Sequence, residues 1–168
     1  MSVSFKNTSG DDFSLKEQID ARINKVLTHT QFVSGPETIE MEKALCEWTG
    51  AKHCISMASG TDALMINLMA LGIGAGDEVI TTDFSFIAAV EAIVLVGAVP
   101  VLVDIDPATY NIDVAQLKKA LSPKVKAIIP VSLYGQPADM QEINSFAKEH
   151  RLHVIEDAAQ SFGATYQG

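Results

Sequence analysis

A regular alternation of short apolar segments with segments of helical periodicity is the feature that most constrains the fold of this chain. The apolar segments occupy residues 53–58, 78–81, 99–103, 127–131 and 153–156. The segments that lie between them, residues 61–71, 85–96, 114–121 and 138–150, carry apolar side chains at helical spacing. Runs of Val and Ile without alternation are typical of parallel strands covered on both faces. The pattern therefore predicts an α/β fold, a three-layer sandwich with a mostly parallel sheet.

Two further helices are predicted before the first of these strands. Residues 15–27 carry an apolar side chain at every fourth position, which places those side chains on one helical face. Residues 37–48 form the second helix, with Pro36 at its first position and Gly50 at its end. No internal repeat or linker divides the chain, so we expect residues 1–168 to form an N-terminal segment and one sheet-containing domain.

The charge and the apolar pattern argue against two classes of partner. The 168 residues carry a formal net charge of −9, whereas nucleic acids and anionic membranes are bound mainly through clustered Lys and Arg. The longest apolar stretch, residues 87–103, is interrupted by Glu91, Gly97 and Pro100, and the charged N-terminal residues hold no signal-peptide core. We therefore expect no nucleic-acid partner, no membrane span and a cytoplasmic protein.

Cysteine and histidine give no sign of a metal site. Cys46 is predicted on a helix and Cys54 in a strand, and two reduced thiols in the cytosol are the ordinary interpretation. His150 ends a predicted helix and His153 begins a strand, so their spacing does not make them a ligand pair. No metal is expected.

In a doubly wound sheet, ligands bind beyond the carboxyl ends of the strands. After the first predicted strand, Ser59-Gly60-Thr61-Asp62 opens a helix. Gly60 would let a phosphate approach the backbone N–H groups at the helix start, and Thr61 would add a hydroxyl donor. The same residues also suit an ordinary helix cap. Local sequence leaves both interpretations open.

A glycine run at Gly72, Gly74 and Gly76 fails as a dinucleotide-binding motif. It precedes a strand instead of joining a strand to its helix, and it lacks the final spacing that the motif requires. We interpret these residues as turn glycines.

Aromatic and carboxylate groups follow two other strands. Phe84 and Phe86, after the second predicted strand, could stack on a flat heterocycle or belong to the core. After the last strand come Glu156 and Asp157, and a carboxylate there needs a positive or hydrogen-bonding partner. A protonated ring nitrogen would serve, because the charged ring then draws electrons from a substrate carbon. Gln160 could donate its amide to a ring hydroxyl, and loop N–H groups are the alternative partners of the carboxylate.

Taken in order, these segments resemble the DegT/StrS-type sugar aminotransferases, within the fold-type I enzymes that use pyridoxal 5'-phosphate (PLP). The matching segments are FVSGP (32–36), ASGTDAL (58–64), GDEVIT (76–81), VDID (103–106), IPVSLYG (129–135) and IEDAAQ (155–160). The resemblance covers residues 15–168. It implies the large domain of a fold-type I PLP-dependent transferase, incomplete in these residues, without the small C-terminal domain.

The resemblance also implies the cofactor and the residues that would hold it. Gly60 and Thr61 would bind the phosphate of PLP. Phe86 would stack on the ring, Asp157 would pair with the ring nitrogen, and Gln160 would approach the 3-hydroxyl group.

For the intact parent, the resemblance implies a transfer of an amino group, usually from glutamate, to a nucleotide-linked keto sugar in amino-sugar and surface-polysaccharide synthesis. The partners would be the nucleotide sugar, the amino-acid donor and a second copy in a homodimer. In the family, the lysine that forms the Schiff base with PLP lies beyond Gly168. No catalytic residue is therefore expected in this chain, and the 168 residues alone are expected to be inactive. Ser132 stands where many members have histidine, which bears on the substrate and not on the fold.

Three alternatives remain open. Related sugar dehydratases keep the cofactor but replace the lysine with histidine. A non-catalytic homologue with a regulatory or binding role is the second, although intact Thr61, Asp157 and Gln160 count against a degenerate site. The third is an unrelated nucleotide-binding α/β domain, which the failed glycine motif disfavours.

Overall fold

A computed structural model describes residues 15–168 of the chain. The N-terminal residues 1–14, which include part of the charged opening segment, lie outside the described residues. The chain divides between Ser56 and Met57 into two compact units, and each unit is described by itself.

The first unit contains the two helices that the sequence predicts, α1 (Lys16–His29) and α2 (Pro36–Thr49). Pro36 occupies the first turn of α2, and Gly50 ends that helix in the left-handed conformation at φ 74°, as expected. Gly35 is required before Pro36, because a Cβ atom there would collide with the carbonyl oxygen of Gln31.

An ion-pair group joins the two helices of this unit. The carboxylate of Glu37 lies 3.0 Å from Nζ of Lys25 and 3.0 Å from Nε2 of His29. The hydrogen bond from Lys25 is the main cause that lowers the pKa of the Glu37 carboxyl below its ordinary value. These side chains are partly exposed to solvent, so the group contributes little to the stability of the fold.

The second unit alternates helices and strands, as the sequence pattern predicts. Its elements are α3 (Gly60–Ala70), β1 (Glu78–Thr82), α4 (Ala88–Leu95), β2 (Val99–Val103), α5 (Val114–Ala120), β3 (Val125–Ile129), a short 3-10 helix (Leu133–Gly135), α6 (Met140–His150) and β4 (His153–Val154). The strands form one parallel sheet in the order β2-β1-β3-β4. The carboxyl ends of all four strands therefore lie at the same edge.

Helices cover both faces of this sheet. Neighbouring residues of β1 point to opposite sides: Val79 packs in a core with α3 and α4, and Ile80 packs in a second core with α5 and α6. In β3, Ile129 belongs to the first core and Ile128 to the second. The two central strands are almost fully buried, whereas β2 and β4 at the edges are partly exposed. The predicted three-layer α/β sandwich is confirmed.

Two strand predictions differ from the structure. Residues 53–58, including Cys54, are not a strand, because an extended segment becomes one only when a neighbour completes its hydrogen-bond ladder, and they pair with no described strand. The last strand is shorter than predicted: β4 pairs only His153 and Val154 with β3, and pairing resumes as an isolated bridge between Val131 and Asp157.

Residues 15–168 contain neither a helix that could span a membrane nor a metal-binding group. None of the helices there is long and apolar enough to cross a membrane. Within the same range, no three His, Cys, Asp or Glu side chains come together in a group that could hold a metal ion.

Candidate active site

A cavity of about 270 Å³ lies at the carboxyl edge of the sheet in the second unit. Its walls come from the start of α3, the segment before α4 together with the first residue of α4, the segment after β3 and the segment after β4. The lining residues are Gly60, Thr61, Leu64, Phe86, Ala88, Val131, Asp157, Ala159 and Gln160. All five residues that the sequence singled out as cofactor-binding candidates are brought together around this one cavity.

The first turn of α3 supplies free backbone donors to one end of the cavity. Ser59 caps the helix: its Oγ accepts a hydrogen bond from the N–H of Asp62 at 3.1 Å, and its carbonyl accepts from Ala63 at 3.0 Å. Within the described chain, the N–H groups of Gly60 and Thr61 have no acceptor. A Cβ atom at Gly60 would meet nothing within 4 Å, so the approach to these donors is open. The capping and anion-binding interpretations are therefore compatible, because different residues carry them.

Asp157 also lines the cavity, and its backbone is hydrogen-bonded to the segment that follows β3. Its N–H donates to the carbonyl of Pro130 at 2.9 Å, and its own carbonyl accepts from the N–H of Ser132 at 3.0 Å. One carboxylate oxygen, Oδ1, accepts from the N–H of Ala159 at 3.1 Å. In the described part of the chain, no Lys, Arg or His forms an ion pair with this carboxylate. The carboxylate of Asp157 therefore has no cationic partner among the described residues.

Gln160 is held in one orientation by the loop after β3. Its Oε1 accepts a hydrogen bond from the backbone N–H of Tyr134 at 2.9 Å. Because the amide oxygen is used, the NH2 group remains as a donor at the cavity. Tyr134 is the central residue of the short 3-10 helix, at φ 55°.

The remaining walls are apolar. Leu64, Ala88 and Val131 are buried, whereas Phe86 is 69% exposed. Of the two aromatic candidates, only Phe86 lines the cavity. Phe84 instead packs against the ring of Tyr110, with 5.9 Å between the ring centroids.

The sequence analysis missed the hydrogen bonds that fix the loop after β3. Ser132 is fully buried; its hydroxyl donates to Oε1 of Glu156 at 2.6 Å and accepts from the N–H of Ala138 at 3.1 Å. The N–H of Leu133 donates to Oδ1 of Asn111 at 3.0 Å. The sequence around Asn111 carries no signal that points to this contact, because its partner lies 22 residues further along the chain.

The chemistry of the lining selects a particular kind of ligand. Free helix N–H groups favour an anion such as phosphate, apolar walls and Phe86 favour a flat ring, and Asp157 favours a positive charge near its carboxylate. Among the described lining residues, Asp157 is the one ionisable group, and none is a lysine. A phosphorylated, cationic heterocycle fits this set, and PLP with a protonated pyridine nitrogen is such a molecule.

The comparison with protein families settles the relationship that these residues suggest. The family described as "DegT/DnrJ/EryC1/StrS aminotransferase family" matches residues 14–168. The chain belongs to this family. The sugar-aminotransferase resemblance, and with it the fold-type I architecture, is therefore confirmed, and the unrelated nucleotide-binding domain is excluded.

Two individual proteins to which the chain is similar are both much longer than this chain. The UDP-2-acetamido-2-deoxy-3-oxo-D-glucuronate aminotransferase of Pseudomonas aeruginosa is 54% identical over 166 residues, which are 99% of this chain and 46% of that relative. The solved structure of NtdA from Bacillus subtilis, with bound cofactor PMP, superimposes with a TM-score of 0.90 at 40% identity, over 100% of this chain and 40% of that one. The chain thus spans somewhat less than half the length of these DegT/DnrJ/EryC1/StrS relatives.

A dehydratase shares the same fold. The structure of GDP-4-keto-6-deoxymannose-3-dehydratase with a trapped PLP-glutamate geminal diamine matches 99% of this chain and 44% of that chain, with a TM-score of 0.85 at 28% identity. Its identity is lower than the 54% of the Pseudomonas aeruginosa aminotransferase and the 40% of the NtdA structure.

Proposed function

We propose that the intact protein is a PLP-dependent aminotransferase that moves an amino group from an amino acid, with glutamate as the expected donor, to a nucleotide-linked keto sugar. The observation that carries the proposal is the single cavity lined by Gly60, Thr61, Phe86, Asp157 and Gln160, each with the chemistry that one part of PLP requires. Support comes also from the aminotransferase relative in Pseudomonas aeruginosa, whose name specifies a 3-oxo sugar linked to UDP.

The residues of this chain would position the cofactor and tune its charge. The N–H groups of Gly60 and Thr61 bind the phosphate at the positive end of α3. Asp157 holds the proton on the ring nitrogen, and Gln160 donates its NH2 group to the oxygen at ring position 3. Bound PLP supplies an electron sink that stabilises negative charge at a substrate carbon.

The proton-transferring lysine is proposed to come from outside the residues described. Among the described residues that line the cavity there is no lysine, and an amine is needed there to move protons at the substrate carbon. We therefore propose that the 168 residues alone carry out no transamination. The homodimer and the cytoplasmic location are proposed on the family resemblance, with Cys46 and Cys54 as free thiols.

An absorbance titration of the purified intact protein with PLP tests the function. The expected result is a long-wavelength band, typical of a lysine-bound cofactor, that disappears when L-glutamate is added while 2-oxoglutarate accumulates. Addition of a UDP-linked 3-keto sugar should restore the band and yield the amino sugar. PLP binding without that band would favour the dehydratase, and no response to PLP would remove both functions.

Replacing Thr61 by Val should weaken PLP binding without altering the fold. The substitution removes a hydroxyl while keeping the shape, and a hydrogen bond to a charged group contributes about 1.5–3 kcal/mol, so the dissociation constant should rise by about tenfold or more. Equilibrium dialysis or quenching of intrinsic fluorescence measures the constant.

Two comparisons make the Thr61 experiment specific. Thr28, an exposed residue of α1, offers the same substitution, and Thr28→Val should leave PLP binding unchanged. Pyridoxal, which lacks the phosphate, should bind the wild-type protein and Thr61→Val equally weakly. A Thr61→Val variant that loses affinity for pyridoxal as much as for PLP would contradict a phosphate contact.

A further inference from the structure

The loop that orients Gln160 is itself held by a buried side chain from another part of the chain. Asn111 is 3% exposed and lies after β2, in a segment that folds back through a bridge between Ile105 and Ile112. It does not line the cavity with Gln160. Any effect of Asn111 on the cavity must therefore pass through the residues that its side chain contacts.

Those contacts all go to the backbone of residues 133–137. The side-chain oxygen of Asn111 accepts from the N–H of Leu133 at 3.0 Å. Its NH2 group donates to the carbonyl of Gln136 at 3.0 Å and to the carbonyl of Pro137 at 3.1 Å. One carboxamide is thus hydrogen-bonded to both ends of the loop. Its oxygen accepts from a backbone N–H, and its two N–H groups donate to two backbone carbonyls.

Between these anchor points lies the N–H that binds Gln160. Tyr134 follows Leu133 directly, adopts a left-handed backbone conformation at φ 55°, and donates its N–H to Oε1 of Gln160 at 2.9 Å. A left-handed conformation is unfavourable for a residue other than Gly, so surrounding contacts must hold it. The bonds of Asn111 to Leu133 and Gln136 are such contacts, and the ring of Tyr110 adds another at 6.1 Å between centroids.

We infer that Asn111 is a positioning residue for the cofactor site: it holds the 133–137 loop so that Tyr134 fixes the carboxamide of Gln160 with its NH2 group towards the cavity. The expected effect of Asn111 on PLP binding rests on the proposed function. Its effect on the N–H of Tyr134 does not depend on any cofactor.

A double-mutant cycle on the intact protein tests the inference. The dissociation constant for PLP is measured for the wild type, Asn111→Ala, Gln160→Ala and the double variant. Loss of one hydrogen bond to the cofactor predicts a rise of about three- to tenfold for Gln160→Ala. Asn111→Ala should show a similar rise, and the double variant should bind no more weakly than Gln160→Ala alone, since the first residue acts through the second. If the two rises multiply in the double variant, Asn111 does not act through Gln160.

The cofactor-free protein provides a second readout. Amide hydrogen exchange at Tyr134 should be faster in both Asn111→Ala and Gln160→Ala than in the wild type. If PLP does not bind the wild type, the proposed function fails, and exchange at Tyr134 decides the inference alone: unchanged exchange in Asn111→Ala overturns it.

Two variants guard against a merely structural effect. Asn111→Asp keeps the oxygen that accepts from Leu133 but loses both N–H donors. It replaces Asn111→Ala in the experiment if that variant does not fold. The same changes in PLP affinity and in exchange at Tyr134 are expected for it. Asn144, exposed on α6, offers the control substitution Asn144→Ala. An equal change of PLP affinity in Asn144→Ala and Asn111→Ala would overturn the inference.

Discussion

Replacing Asp157 by Asn should reduce turnover of the intact protein by about a hundredfold or more while leaving the fold in place. The substitution keeps the shape and the hydrogen bond from Ala159 but removes the negative charge. An opposite charge within a few ångströms moves a pKa by about 1–3 units, and each unit corresponds to about a factor of ten in the protonated fraction. Without Asp157 the pyridine nitrogen loses its proton, and the ring no longer withdraws electrons effectively.

Three measurements separate this effect from general damage. Turnover should fall more than PLP affinity, because the charge matters most when electrons move into the ring. The absorbance of the bound cofactor should also change with pH over a lower range in the variant, since the ring nitrogen now deprotonates more easily. A variant with wild-type turnover and an unchanged pH profile would show that Asp157 does not pair with the ring.

The neighbouring carboxylate provides a matched control. Glu156 does not line the cavity, and its side chain accepts a hydrogen bond from the buried hydroxyl of Ser132. Glu156→Gln removes the same charge one residue away but retains an oxygen acceptor for Ser132. We expect its turnover to remain within a few-fold of the wild type, so a hundredfold loss in Glu156→Gln would contradict the specific role of Asp157.

Truncation of Ile128 should lower the free energy of unfolding by several kcal/mol without a direct effect on the cavity, about 2–5 kcal/mol for Ile128→Ala. Ile128 is fully buried in β3 and belongs to the core formed with α5 and α6, whereas Leu64 and Val131 of the cavity wall belong to the other core. Ile128→Ala removes part of a packed side chain and leaves a void, which typically costs about 2–5 kcal/mol. The free energy of unfolding from urea denaturation of the intact protein measures the loss.

A smaller truncation at the same position provides the control. Ile128→Val removes a single methylene group and should cost about 0.5–1.5 kcal/mol. PLP affinity of both variants, measured well below their unfolding transitions, should match the wild type, since the altered side chain faces away from the cavity. A loss below about 1 kcal/mol for Ile128→Ala would indicate that this core collapses around the gap.

The spacing of apolar residues predicted most of this fold, because that spacing depends on the local geometry of each helix or strand. The segments for α3 to α6 and for β1 and β2 lie within a few residues of their predicted positions, since one buried face at helical spacing, or a short run of Val and Ile, specifies each of them. The strand at residues 53–58 was wrong because a strand also depends on its neighbour. The shortness of β4 escaped prediction for the same reason: the apolar run continues to Ile155, but the paired segment ends at Val154.

The candidate residues could be selected from local sequence where they follow a strand or open a helix, but not where distant segments meet. Asp157 and Gln160 follow the last strand, at the carboxyl edge of the sheet where ligands are expected. Gly60 opens α3, although the strand predicted before it does not form. The contact from Asn111 to the loop that follows β3 joins side chain and backbone far apart in sequence. No local pattern encodes such a bond, because it depends on how two loops approach each other in three dimensions.

The order of the cavity residues along the chain bears on how the protein matures. A ribosome delivers the amino-terminal part first, so α3 and β1 to β3 can form the apolar walls and present the free N–H groups of α3 before Asp157 and Gln160 have been made. A nascent chain that stops short of Asp157 therefore offers a pocket without the charge that a pyridine ring needs. The carboxylate and the carboxamide of this pocket are thus in place only once the chain has been made past β4.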